Sequence, residues 1–172
     1  MDFVLNKALE DKEHTFVEIL KATSVKILQQ KINKQKGLII VEGGLDEINR
    51  FCVESKKVDI LLSPEHGALK DHMKSRHSGL NQVLCALAVK NNVAIGINFH
   101  DLLVSEHKAL LLARIMQNVK LCKKYNVSMV LCSFATDLLE LRSKDMLLSF
   151  GKVLGMSGTQ AYDSLNFKKK II

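Results

Sequence analysis

The segment from Ser63 to His77 holds the densest group of side chains that could do chemistry in this 172-residue sequence. It is the longest irregular connection and directly follows a short apolar run. Loops after the carboxyl ends of strands build the functional site of parallel α/β domains, so this position is informative. A guanidinium or ammonium group here could bind phosphate oxygens, and a solvated surface loop is the competing interpretation. The candidate phosphate contacts are Lys70, Lys74, Arg76 and His77.

A second basic group, Arg142 and Lys144, follows the last apolar run of the chain. If the strands are parallel, this group lies at the same edge of the sheet as the 63–77 segment. Two basic groups at one edge would form a surface that contacts phosphates. Ion pairs with Glu140 or Asp145 are the alternative role for these cations.

The histidines and nearby acids raise the alternative of a metal-dependent phosphoesterase, but their spacing matches neither H-x-H nor H-E-x-x-H. Nucleophilic catalysis lacks a G-x-S-x-G motif. Gly43-Gly44 completes no glycine-rich phosphate loop and is expected to form a tight turn between a strand and a helix. The ligand set of the metal alternative would be His66, His72, His77, Asp101 and His107.

Short β-rich runs alternate with longer helical patterns, an order typical of parallel βαβ units. A single α/β domain over residues 1–172 accommodates the whole pattern. Six strands fall short of the eight strands and ~250 residues of a complete (β/α)₈ barrel, so an open sheet and a partial barrel both stay possible. The predicted strands are 2–5, 15–20, 38–42, 58–62, 93–98 and 127–133.

The helices are predicted from apolar periodicity together with capping residues. Asn91-Asn92 and Asn126 are expected to end two of them, because asparagine tolerates the left-handed conformation that closes helices. The helices are expected to start behind Gly44, Ser78 (as N-cap), Ser105, Ser143 and Ser157.

Composition excludes several classes of protein. With 47% hydrophobic and 25% charged residues the chain is unlike a disordered protein. No apolar run reaches the roughly 18 residues of a membrane span, and no signal-peptide pattern opens the chain. The four cysteines lack C-x-x-C spacing, so buried thiols in a reducing cytoplasm are expected. The net charge of +7, with 12 basic and 6 acidic residues after residue 86, favours polyanionic partners.

One ordered set of segments is more specific than any single motif. It begins with a strand ending in Ser-Pro, a helix start containing a glycine, and a strand reading Lys-Asn-Asn-Val-Ala-Ile-Gly. The whole set comprises residues 58–64, 78–84, 90–99, 121–127, 132–135, 141–142 and 149–156. In this order, over about residues 38–165, it resembles the ribonuclease P protein component 3 family of archaeal type, the p30 family.

The resemblance implies a TIM-barrel-like fold related to the PHP phosphoesterases, shortened or incomplete because residues 1–37 match only loosely. It implies a subunit of the ribonuclease P ribonucleoprotein, which removes 5′ leaders from precursor tRNA. In that family the RNA subunit performs hydrolysis with bound Mg²⁺, so no cofactor is expected in the chain itself. Ribonuclease P protein component 2 and the RNase P RNA are the implied partners.

Residue by residue, the resemblance supports Arg142 after its strand, and the 70–77 segment by position only. The first strand lacks the H-x-H that PHP enzymes use to bind metal, which weighs against independent phosphoesterase activity. The leading hypothesis is thus a non-catalytic RNA-binding subunit. The alternatives are the small metal-dependent phosphoesterase and an adaptor that contacts protein alone.

Overall fold

The computed structural model describes residues 2–67, 71, 73 and 76–167. All six predicted strands are present, and the run predicted at 15–20 is divided because the chain changes its partner strand there. The strands are β1 (Asp2–Val4), β2 (His14–Phe16), β3 (Ile19–Leu20), β4 (Ile40–Glu42), β5 (Ile60–Leu62), β6 (Ala94–Asn98) and β7 (Met129–Cys132).

The described residues include seven α-helices, and none of these helices is both long and apolar enough to cross a membrane. Two were not predicted, α1 and the short α4 that directly follows β6. The helices are α1 (Val25–Lys34), α2 (Asp46–Glu54), α3 (Gln82–Asn91), α4 (Phe99–Val104), α5 (Lys108–Tyr125), α6 (Lys144–Val153) and α7 (Gly158–Leu165).

The strands form two parallel sheets that together make an incomplete barrel. One sheet has the order β3-β4-β5-β6-β7, and the other pairs β1 with β2. Within the described residues, β1 meets the end of β7 through a single bridge, Val4 to Ala135, beside a hydrogen bond from Phe134 N to Phe3 O at 2.9 Å. The prediction of a shortened, TIM-barrel-like parallel fold is confirmed.

The strands bury apolar side chains on both faces, as continuous apolar runs require. Alternate residues point inward and outward because successive side chains of a strand project to opposite faces. Ile40, Ile60 and Val130 belong to the inner cluster, whereas Val41 and Leu61 belong to the larger cluster between strands and helices. All four cysteines are buried thiols, as predicted.

The ends of the helices follow local chemistry at most positions. Asn92 and Asn126 adopt the left-handed conformation with φ of 55° and 57° and end α3 and α5. Ser143 and Ser157 cap α6 and α7 as predicted. The prediction of Ser78 as an N-cap is wrong, because Asn81 caps α3 and accepts from Leu84 N at 3.0 Å.

Candidate functional site

Five polar residues meet just beyond the carboxyl ends of β3, β4, β5 and β6. Lys21 Nζ lies 2.7 Å from Glu42 Oε2, and His66 Nδ1 lies 3.8 Å from Glu42 Oε1. The other ring nitrogen of His66, Nε2, lies 3.1 Å from Asp101 Oδ2, and Ser63 Oγ donates to the same oxygen at 2.8 Å. Positive and negative groups alternate along this carboxyl-edge cluster of Lys21, Glu42, Ser63, His66 and Asp101.

The carboxyl-edge cluster holds His66 in its charged form. Burial alone would lower the pKa of His66, but the carboxylates of Asp101 and Glu42, 3.1 Å and 3.8 Å from its ring nitrogens, outweigh burial and raise the pKa to about 10. The nearby His66 and Lys21 keep the pKa of Glu42 below its ordinary value. The cluster therefore fixes the turn after β5 through internal charge pairing.

Three residues on one face of α5 bind the connection between β5 and α3. Arg114 Nε donates to Asp71 Oδ1 at 2.8 Å, and Gln117 Nε2 donates to the carbonyl oxygen of Arg76 at 3.3 Å. Asn118 follows on the same face, since residues three and four positions apart are neighbours on a helix. These contacts fix the backbone of Arg76 against α5.

Glu65 anchors the start of the same connection. The residue is 3% exposed, and Asn118 Nδ2 donates to its Oε2 atom at 2.9 Å. Asn118 also donates to the carbonyl oxygen of Ser78 at 2.9 Å. Burial raises the pKa of Glu65 to about 7, against the opposing charge of His66. Glu65 therefore titrates near neutral pH in a position enclosed by protein.

Arg142 lies over the ring of Phe99, with its guanidinium carbon 5.6 Å from the ring centre. Its Nη1 atom donates to the carbonyl oxygens of Leu139 at 2.7 Å and Leu141 at 2.8 Å. Glu140 instead pairs with His100, whose Nδ1 lies 3.0 Å from Glu140 Oε2. Two carbonyl groups and the Phe99 ring thus orient the guanidinium, while Glu140 pairs with His100 instead.

Lys144 is exposed beside Arg142, with its Nζ atom 5.0 Å from the ring centre of Tyr162. Both cations line a groove of about 490 Å³, hereafter the 142 groove. Arg76 is exposed and lines a different groove, hereafter the α5 groove, of about 540 Å³. Arg76 therefore lines a different groove from Arg142 and Lys144.

His77 does not line either of these grooves. The ring of His77 is 3.2 Å from Asp46 Oδ1 through its Nε2 atom. Lys70 and Lys74 lie outside the described residues, as does His72.

The ligand set proposed for the metal alternative is not brought together. His66 and Asp101 are neighbours, but His77 pairs with Asp46 and His107 is exposed at the start of α5. In the described parts of the chain, no group of three or more His, Cys, Asp or Glu residues could hold a metal ion.

Sequence reasoning did not select Lys120 and Lys123, which line the α5 groove together with Arg76. A signal for them was available: the 18 residues of α5 include five lysines or arginines and no acidic residue. Basic residues at positions three apart share one face of a helix.

Sequence comparisons with known proteins all point to relatives from ribonuclease P. A family model described as RNase P subunit p30 matches residues 17–172. Ribonuclease P protein component 3 of Methanosarcina mazei is 36% identical over 161 residues, covering 91% of this chain and 64% of that protein. The protein of the same name from Methanocaldococcus jannaschii is 35% identical over 136 residues, covering 76% and 56%. The chain thus spans between half and two thirds of the length of these curated relatives.

A solved structure agrees in fold as well as in sequence. A chain of the cryo-EM structure of archaeal ribonuclease P with mature tRNA aligns with a TM-score of 0.76 at 30% identity. The alignment covers 93% of this chain and 68% of that chain.

Proposed function

We propose that this chain, which belongs to the RNase P subunit p30 family, is a protein subunit of an archaeal-type ribonuclease P ribonucleoprotein and supports removal of 5′ leaders from precursor tRNA. The observation that carries the proposal is the likeness, over 93% of the chain, to a chain of archaeal ribonuclease P. The partners in this proposal are protein component 2, the RNase P RNA and, through the holoenzyme, precursor tRNA. The site of action is the cytoplasm, and residues 1–172 act as one domain.

In this proposal the RNA subunit performs the hydrolysis with Mg²⁺ bound to the RNA, and the protein supplies positive charge. The catalytic RNA and precursor tRNA are both polyanions, and cations between them reduce their repulsion. The carboxyl-edge cluster pairs its own charges, and His66 is held as an imidazolium. Within the described residues no three His, Cys, Asp or Glu side chains are grouped so that they could hold a metal ion, and this geometry favours a supporting role over metal-dependent hydrolysis.

The candidate phosphate contacts are Arg142, Lys144, Arg76 and His77, together with Lys70 and Lys74. Arg142 is the best oriented of them, because two carbonyl groups and the Phe99 ring fix its guanidinium. A guanidinium carries five N–H donors, so those on Nε and Nη2 can serve a phosphate while Nη1 serves the carbonyls. Lys144 is exposed beside it and adds a second charge.

The proposal is tested by precursor-tRNA cleavage at low Mg²⁺, using the RNase P RNA reconstituted with the other protein components, with and without this chain. We expect cleavage to rise only when the RNA and the chain are both present. Cleavage by the chain alone, or an unchanged rate on its addition, would contradict the proposal. Stimulation with binding to component 2 but no crosslink to RNA would assign an adaptor role instead.

The site assignment has a separate test in the same assay. We expect Arg142→Ala and Arg76→Ala each to lower the salt dependence of stimulation by about one phosphate contact. Arg50→Ala is the matched control, since Arg50 forms an exposed ion pair with Glu54 on α2 at 2.9 Å. Stimulation identical to wild type across Mg²⁺ and salt would remove both residues from the RNA-binding site.

A further inference from the structure

The α5 groove is a strongly basic surface outside the carboxyl-edge cluster. The groove is lined by residues of α5 that include Lys120 and Lys123, by Arg76 and by the Leu154-Gly155 turn. Arg76, Lys120 and Lys123 are all exposed. No carboxylate lines the groove in the portion of the chain that the structure describes. Among the described residues, the groove is therefore lined by three cations and by no carboxylate.

The other two grooves of comparable size are closer to balance. The groove at the amino ends of the strands, about 760 Å³, has two lysines and two aspartates, and the 142 groove has three cations and two carboxylates. The charged residues are Lys56, Lys57, Asp59 and Asp163 in the first, and Lys12, Arg142, Lys144, Asp2 and Glu13 in the second. Of these three grooves, the α5 groove therefore has the lining that most favours a polyanion.

Neighbouring groups position the backbone of Arg76 and the ammonium group of Lys123. Gln117 fixes the backbone of Arg76 through its carbonyl oxygen. Asp71 is near enough to Arg76 for the charge of Arg76 to contribute to lowering the pKa of Asp71. The direct ion pair of Asp71 is with Arg114, at 2.8 Å. Lys123 Nζ donates to the carbonyl oxygen of Gly155 at 2.5 Å, which orients its ammonium while leaving its charge unpaired by any carboxylate of the groove.

We propose that the α5 groove binds the sugar-phosphate backbone of the ribonucleoprotein's RNA subunit, through Arg76, Lys120 and Lys123. This inference rests on the proposed function. The α5 residues that line the groove run from position 113 to 123, about 15 Å along the helix axis. A basic stretch of that length can contact more than one phosphate of the same RNA strand. No aromatic residue lines the groove within the described residues, so contact is with phosphates and is independent of base sequence.

The test is direct binding of the full chain to RNase P RNA by filter binding between 50 and 200 mM salt, with cleavage stimulation measured in parallel. The test variant is Lys120→Gln with Lys123→Gln. Loss of two phosphate contacts makes the slope of log affinity against log salt concentration shallower by about 1.4 to 1.8. Between 50 and 200 mM salt, the affinity of the variant for RNA should therefore fall about 7- to 12-fold less than that of wild type. Circular dichroism checks that each variant is folded.

Two control variants isolate the groove from net charge. Lys56→Gln with Lys57→Gln removes the same charge from the balanced groove and is expected to keep the wild-type slope. Lys120→Arg with Lys123→Arg keeps the charge and is also expected to match wild type. An unchanged slope in the Lys120 and Lys123 variant, or an equal fall in the Lys56 and Lys57 control, would overturn the inference even if wild type stimulates cleavage. Groove-dependent binding without stimulation would instead overturn the proposed function and leave the groove assignment standing.

Discussion

His66 lies between two carboxylates, and replacing it by glutamine should remove a large pH-dependent contribution to stability. The imidazolium bridges Glu42 and Asp101 at the carboxyl edge of the sheet. Glutamine is neutral at every pH and can still donate a hydrogen bond. Lys21 and Ser63 keep their contacts with the two carboxylates, so the turn after β5 should still fold.

The magnitude follows from the pKa of His66, about 10 in the folded chain against an ordinary value of 6.5. Because the folded pKa is raised, the folded state binds the proton more tightly. Its stabilising contribution is fully present below pH 6.5 and is lost as the pH rises through 10. Between pH 7 and pH 9.5 the contribution of His66 to the free energy of unfolding should therefore decrease by about 3 kcal/mol. This figure is an upper bound, because the charge of His66 is shared between two carboxylates.

The assay is urea unfolding followed by circular dichroism at pH 6.5, 8 and 9.5 for wild type and His66→Gln. Most other ionisable groups are common to both proteins, so their contributions cancel in the difference. Glu65 is the exception, because the charge of His66 lowers its pKa and His66→Gln removes that charge, so the variant loses more stability through Glu65 as the pH rises. The stability gap between the two proteins should therefore close by up to about 3 kcal/mol as the pH rises. His107→Gln removes an exposed histidine as a control. Parallel pH profiles for wild type and His66→Gln would refute the charged bridge.

Three further perturbations test the packing around the site. Glu65→Gln should stabilise the protein by about 2–3 kcal/mol at pH 8 but not at pH 4.5, because the Glu65 carboxyl, with its pKa raised to about 7, makes wild type lose stability between these two pH values. Urea titrations at both pH values check this, and an effect that does not change with pH would contradict it. Arg114→Met should lower stability, since it removes the buried guanidinium that pairs with Asp71, and should speed trypsin cleavage in the 63–81 connection; an unchanged cleavage rate would argue against the tether. Gly96→Ala should lower stability by about 1–3 kcal/mol, because its Cβ would lie 2.7 Å from Leu62 Cδ1, whereas Gly158→Ala meets nothing within 4 Å; equal melting temperatures of the two variants would be the contrary result.

Features governed by neighbouring residues could be predicted. Apolar runs marked every strand, and Asn92 and Asn126 ended their helices because an asparagine accepts the left-handed conformation. The capping box at Ser157 also depends on residues three positions apart. These interactions are local, so their chemistry is visible in the sequence.

Features governed by distant residues were missed. Ser78 was taken for an N-cap, but Asn118 of α5 binds its carbonyl oxygen and Gln117 binds its hydroxyl oxygen. The sequence also placed Arg76 and Arg142 at one edge, yet they line separate grooves. The path of the connection between β5 and α3, held by contacts with α5, decides where Arg76 lies.

The sequence by itself determined the family, the parallel α/β pattern and the excess of positive charge, because these depend on residue type and order. The tertiary structure decided which cations are compensated. Asp2 and Glu13 reach the groove of Arg142 and Lys144 only when β1 and β2 join the barrel, about 130 positions away in sequence. No carboxylate of the described chain folds into the α5 groove, because α5 carries none and its neighbours there are Arg76 and the Leu154-Gly155 turn.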